Sequence, residues 1–207
     1  MIRGPLQALP MAKHYDRAYF DQWYRQRGIG GARRLARKVA LAVATAEYHL
    51  ERPIHSVLDI GCGEGVWRAA LRRLRPDVRY LGFDSSHYAV ERYGRSRNLH
   101  LASFGEFAQL RPCTPVDLLV CSDVLHYLPT RELDRGLPGL AELCGGVAFL
   151  ETFTREDAAE GDEDGFKARP ARFYRERFEA AGFTQLGSHC WLSPARRGSA
   201  TALEIPA

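Results

Sequence analysis

This chain has no paired cysteines. Its five, at 62, 113, 121, 144 and 190, form no CxxC pair and no zinc-ligand spacing. Neither a disulfide framework nor a structural zinc site is indicated. The cysteines read as free thiols of a reducing cytoplasm, most of them small buried hydrophobes. Long apolar runs are missing as well. The longest, such as Leu118–Cys121 and Val147–Leu150, fall far short of the roughly 20 residues that cross a bilayer. The opening MIRGPLQALPMAKHYD holds two prolines and no continuous apolar core, so no secretory signal and no membrane partner is expected. No internal repeat and no low-complexity stretch is present. What remains is 207 residues, 45% apolar and 26% charged. That is enough chain to bury one sizeable core without a metal or disulfide staple.

Charge is modest in sum and uneven in place. The net charge is +4, yet residues 1–56 carry ten Lys/Arg against four Asp/Glu. A basic N-terminal stretch can meet a nucleic acid, but it is more often the solvated face of helices. No nucleic-acid-binding module accompanies it. Residues 156–164 carry six acids and no base. Their spacing does not match an EF-hand, so a solvated loop is expected and no metal.

Residues 12–27 are aromatic and basic. Tyr15, Tyr19, Phe20, Trp23 and Tyr24 fall on one face of a helix. Gly28, Gly30 and Gly31 break it. A second helix is expected from Ala32 to Leu50, with Leu35, Val39, Ala42, Val43, Ala46 and Leu50 as its apolar stripe. Short apolar runs then recur at 56–60, 79–83, 98–102, 116–121 and 146–150, most of them separated by stretches that can be helical. This alternation marks a parallel sheet covered on both faces. After a helix over 170–181, segments 183–192 and 200–205 are expected to form an antiparallel strand pair at one edge.

The sharpest motif is Val57-Leu58-Asp59-Ile60-Gly61-Cys62-Gly63-Glu64-Gly65, between the first strand and a helix over Val66–Leu74. Glycines there allow a tight turn and a close backbone approach by a ligand. The helix N-terminus behind them offers free N–H groups. The spacing is GxGxG, not GxGxxG, and Asp59 sits two residues before the first glycine. A carboxylate there repels a pyrophosphate and suits a cation, which disfavours a dinucleotide. No GK[ST] follows, so a P-loop is excluded.

Two further motifs follow in order. Asp84 ends Tyr80-Leu81-Gly82-Phe83-Asp84, and Ser122-Asp123-Val124-Leu125-His126-Tyr127-Leu128 ends the fourth apolar run. Together the three resemble the class I S-adenosylmethionine-dependent methyltransferase family, over roughly residues 54–205. The resemblance implies a single doubly wound, mostly parallel seven-stranded α/β sheet, Rossmann-like, with an antiparallel C-terminal pair. It divides the chain into an N-terminal helical extension, 1–53, and a methyltransferase domain, 54–207.

It also implies the cofactor, S-adenosyl-L-methionine, released as S-adenosyl-L-homocysteine. Asp59 would organise the glycine loop and face the ammonium. Gly61, Cys62 and Gly63 would lie along the amino-acid part and ribose. Asp84 would accept from the ribose hydroxyls, or else cap the next helix, a role Ser86 can also fill. Ser85 and Ser122 are counted with the cofactor contacts. The adenine is expected against Ser103 and Phe104, where Ser103 stands in the place of the family's usual Asp.

On the acceptor side, Ser122, Asp123, His126 and Tyr127 end the strand that faces the methyl group in this family. Asp123 and His126 are the expected catalytic pair, with His126 either a general base or a packed side chain. Tyr15 is expected as a lid over the cofactor, and Tyr19, Tyr127 and Glu151 as acceptor contacts. The [DN]-P-P-[YF] motif of amino-directed nucleic-acid enzymes is absent after the fourth strand. The expected partner is therefore a small-molecule hydroxyl or amine, such as a natural-product intermediate, handled by a cytoplasmic monomer or homodimer. The alternatives are an RNA-directed methyltransferase and a non-catalytic S-adenosylmethionine-binding protein.

Overall fold

The computed structural model describes residues 15–26, 31–157 and 162–205. Seven strands form one sheet: β1 (Ser56–Ile60), β2 (Arg79–Asp84), β3 (Leu99–Leu101), β4 (Val116–Ser122), β5 (Cys144–Glu151), β6 (Thr184–Gly187) and β7 (Cys190–Leu192). Their order is β3-β2-β1-β4-β5-β7-β6, with the first five parallel and β7 antiparallel to both neighbours. The helices are α1 (Arg17–Phe20), α2 (Ala32–Leu50), α3 (Val66–Leu74), α4 (His87–Arg97), α5 (Thr130–Leu143) and α6 (Ala171–Ala180).

Register explains why both faces are apolar. Val57, Leu118, Val147 and Leu192 lie side by side across β1, β4, β5 and β7. They share a core with Val39, Ala42 and Ala46 of α2 and Leu71 of α3. One residue along, Leu58, Leu119, Ala148 and Trp191 form the matching row. They pack with Leu133, Leu137 and Leu140 of α5 and Phe178 of α6. Alternation along each strand therefore feeds two cores. The apolar stripe of α2 is the expected one, and the helix lies on the same sheet as the elements after it.

The sheet reverses direction between β1 and β4. Crossovers run outward from β1 through β2 to β3, and the other way from β4 to β5. The carboxyl ends of β1 and β4 thus splay apart and open a crevice, the usual ligand position in such sheets.

Two expectations change. The strand pair closes within 184–192, not between 183–192 and 200–205. Ser188 and His189 both adopt positive φ, 48° and 66°, so the chain reverses in two residues between Gly187 and Cys190, which face each other. Residues 194–199 then form a 3₁₀ turn, and 202–204 a further turn. The aromatic segment is also less regular than one helix. It is a single α-turn, Arg17–Phe20, followed by a π-turn over Asp21–Gln26. Asp16 caps it, its carboxylate accepting from the Tyr19 amide at 2.9 Å. Residues 12–14 and 27 of the expected helix lie outside the described residues.

Candidate cofactor and acceptor site

After β1 the chain turns through Gly61 and Gly63, with φ of 72° and 54°. L side chains rarely adopt this region, so the turn needs glycine. The Gly61 and Cys62 amides donate to the Phe83 carbonyl at 2.8 and 3.0 Å. The Gly63 amide donates to Asp84 Oδ2 at 2.6 Å, and the Ser86 amide to Asp84 Oδ1 at 2.8 Å. Ser86, not Asp84, caps α4: its hydroxyl accepts from the Ala89 amide at 3.1 Å. The carboxylate of Asp84 is thereby held at the strand end, above the glycine turn.

Asp59 is 1% exposed, and Tyr80 donates its hydroxyl to Asp59 Oδ2 at 2.7 Å. Burial pushes the Asp59 carboxyl up to about 7; the Tyr80 hydrogen bond opposes this and the charge of Asp84 adds to it. Burial also raises Asp84, against the two amides that hold it. Two buried acids this close, both disfavoured as anions, are a pattern of binding sites. A cation or a pair of hydroxyl donors placed between them relieves the cost.

Both acids line a cavity of about 560 Å³, within the range of small-molecule sites. Gly61, Cys62, Gly63 and Ser85 line it beside them. The facing wall is aromatic: Tyr15, Tyr19, Phe20 and Trp23. A third wall comes from α2 (Arg34, Leu35, Lys38), and the far end from Ser122, Asp123, Tyr127, Phe153 and Asp162. The aromatic wall is fastened at both ends. Ser86 donates its hydroxyl to the Tyr15 carbonyl at 2.5 Å, and Arg25 pairs with Glu64 at 2.9 Å.

The family model described as a methyltransferase domain matches residues 22–196. This chain belongs to that methyltransferase family. Its fold is similar to the sugar N-methyltransferase KedS8 from Streptoalloteichus sp ATCC 53650. The two are 19% identical with a TM-score of 0.62, over 88% of this chain and 90% of that one. Streptomyces venezuelae DesVI is 17% identical with a TM-score of 0.63, over 88% and 100%. The plantazolicin methyltransferase BamL, solved with a triazolic desmethylPZN analog and SAH, is 15% identical with a TM-score of 0.58, over 79% and 71%. No curated protein matches the chain. The enzyme is an S-adenosylmethionine-dependent methyltransferase.

Four residues expected in this methyltransferase's site lie off the cavity wall. Ser103 accepts and donates within a capping box, its amide and hydroxyl both donating to Glu106 Oε2 at 2.7 and 2.8 Å. Phe104 turns the other way, onto α5. A Cβ at Gly136 would come within 2.5 Å of its ring, so the glycine exists to let that ring in. Glu151 is 2% exposed and engaged on both oxygens, by Lys38 Nζ at 2.5 Å and the Ser122 hydroxyl at 2.5 Å. His126 is 1% exposed, among the rings of Tyr127, Phe153 and Phe166.

The expected acidic loop also differs from a purely solvated one. Residues 158–161 lie outside the described residues, but Asp162 lines the cavity and its carbonyl accepts from the Tyr127 hydroxyl at 2.9 Å. The Lys167 amide donates to the His126 carbonyl at 2.9 Å, docking this segment on the loop after β4. Lys38, Arg34, Phe153 and Asp162 are cavity residues that sequence reasoning passed over. Only Lys38 left a trace, a lysine beside the apolar stripe of α2. Among the described residues no group of three or more His, Cys, Asp or Glu could hold a metal ion, and no helix is long and apolar enough to cross a membrane.

Proposed function

We propose that this methyltransferase acts on the amine of a small-molecule acceptor. One observation carries the choice of amine over hydroxyl. Among the described residues no histidine lines the cavity, and the nearest, His126, has both ring nitrogens engaged by protein groups. A hydroxyl needs a base at the moment of transfer. An uncharged amine brings its own lone pair.

The cavity residues suit the cofactor. S-adenosylmethionine, when bound, supplies an electrophilic methyl on a sulfonium. Asp84 would accept from its ribose hydroxyls, each bond contributing roughly 1.5–3 kcal/mol as a charge-assisted contact. Asp59 would balance its ammonium, and the Gly61–Gly63 backbone would let its amino-acid part approach. The aromatic wall would exclude water from the reacting atoms.

At the far end, Asp123 and Asp162 line the wall with Tyr127 and Phe153. The Asp123 carboxylate accepts an N–H of the amine and aims its lone pair. Positive charge then passes from sulfur to nitrogen, and a fixed carboxylate beside the nitrogen favours that movement. Burial, with the charges of Asp84, Asp162 and Asp123, pushes the Tyr15 hydroxyl up to about 12. Tyr15 therefore stays a neutral donor. Burial raises Tyr127 further. Acids and aromatic rings around one point also suit a cation by the ring quadrupoles. A sugar N-methyltransferase among the similar folds supports an amine, though at 19% identity it carries only the architecture.

The test is transfer from methyl-labelled S-adenosylmethionine to matched pairs of amines and alcohols, with RNA as a third arm. Methylated amines support the reading. Methylated alcohols with untouched amines, or labelled RNA alone, overturn it.

A further inference from the structure

The loop after β4 carries a side-chain relay that the sequence motif does not reveal. His126 Nδ1 accepts from the Phe153 amide at 3.3 Å, with the Thr152 hydroxyl at 3.4 Å. A neutral imidazole that accepts at Nδ1 carries its proton on Nε2. Nε2 stands 3.3 Å from Asp123 Oδ1. The ring itself is sealed from the cavity, while the Asp123 side chain is 47% exposed and lines it. Asp123 is unusual in its backbone too. Its φ is 64°, a region that a non-glycine residue rarely adopts, and its amide is held by the Glu151 carbonyl at 3.1 Å. So one oxygen is tied from behind, the backbone is pinned at the strand end, and the other oxygen is left to face the acceptor.

We propose that His126 is a positioning residue: its Nε2–H holds the Asp123 carboxylate in the cavity, and Asp123 is the group that meets the acceptor nitrogen. The second half rests on the amine reading above. This inverts the usual division of labour in a histidine–carboxylate pair. There the carboxylate orients an exposed imidazole. Here the imidazole is the buried partner and the carboxylate is the exposed one, because Phe153 and Tyr127 close over the ring. The role also explains a histidine placed among three aromatic rings. An apolar residue would pack there, but only a ring that accepts on one side and donates on the other links Phe153 to Asp123.

Two measurements test this on the full-length protein loaded with S-adenosylhomocysteine. Nitrogen-15 NMR of the imidazole reads the tautomer. The expected result is Nε2–H with bare Nδ1, and an Nε2 signal that moves in Asp123→Ala. An Nδ1–H tautomer, or an Nε2 signal indifferent to Asp123→Ala, overturns the relay. The second measurement is the affinity for tetramethylammonium, a cationic stand-in for a methylated amine. Asp123→Asn should weaken it by about tenfold, the size of one lost charged contact. His126→Phe should weaken it in the same direction, His126→Gln should restore it, and His126→Phe added to Asp123→Asn should cost nothing more. Unchanged affinity in His126→Phe, or a further loss in the double variant, overturns the positioning role. Unchanged affinity in Asp123→Asn sinks the amine reading alone, and the imidazole signals still decide the relay.

Discussion

The Gly63 amide and Asp84 Oδ2 are 2.6 Å apart, so the glycine turn after β1 and the acid at the end of β2 are one hydrogen-bonded unit. Damage to either should be felt as loss of cofactor. Asp84→Ala should weaken S-adenosylmethionine and S-adenosylhomocysteine by about ten- to a hundredfold, equivalent to 1.5–3 kcal/mol. Gly63→Val should abolish binding, because a β-branched residue resists a φ of 54°. Calorimetry with both ligands checks this. Wild-type protein that binds neither would remove the basis of the proposed site.

Asp59 sets a pH dependence. Its folded-state pKa is raised to about 7, mainly by burial. The folded protein therefore holds this proton more tightly than the unfolded chain does. The sign follows: stability falls as pH rises from about 4 to about 7, by roughly 4 kcal/mol for this group alone. Asp59→Asn keeps an acceptor for Tyr80 and removes the charge. It should raise the Tm at pH 8 relative to wild type, leave it nearly unchanged at pH 4.5, and weaken S-adenosylmethionine binding. Wild-type affinity should rise as pH passes 7. Thermal unfolding of both proteins at the two pH values isolates the group, and equal melting curves at pH 8 would show that Asp59 carries no such cost.

Much of this was legible in the sequence, and the rest was hidden for identifiable reasons. Asp59, Gly61, Gly63 and Asp84 sit within a few residues of strand ends, so local spacing exposed them. The row Val57, Leu118, Val147 was readable as apolar runs. The hairpin was misplaced because Ser188-His189 lacks the Asn-Gly or Asp-Gly signal of a two-residue turn. Phe104 was misassigned because its partner, Gly136, lies a strand and a loop away. Glu151 looked like a ligand contact because strand-end acids often are. Its partner Lys38 comes from α2, more than a hundred residues earlier, and no local pattern announces it.

That pair gives a stability prediction. Lys38 Nζ is 2.5 Å from a carboxylate that is almost wholly buried. Removing one partner leaves the other charge uncompensated, typically a loss of about 3–5 kcal/mol. Lys38→Met should therefore destabilise strongly. Glu151→Gln, which retains an acceptor for Ser122, should cost less, and adding it to Lys38→Met should recover most of the loss. Urea unfolding of the three variants measures the coupling. Additive losses would mean the ion pair contributes little and that α2 is held by its apolar stripe.

The aromatic wall gives the last prediction. Phe20 is buried and packs on Tyr88 of α4 with ring centroids 5.7 Å apart. Burial of one such ring contributes only about 1.5–3 kcal/mol. The seven strands and their two cores are built without it. Deleting residues 1–24 should therefore leave a cooperative unfolding transition at a modestly lower Tm. Ligand binding should suffer more, because Tyr15, Tyr19 and Trp23 leave the cavity with it. Fluorescence distinguishes the two effects. Of the three tryptophans, Trp67 and Trp191 are buried in the cores and Trp23 is only partly covered at the cavity. S-adenosylhomocysteine should change the emission of the full chain and change that of the truncated chain far less, alongside a weaker affinity. A truncated protein that keeps full affinity and turnover would show that the segment merely rests on α4, and that water is excluded by the loop carrying Phe153 and Asp162 instead.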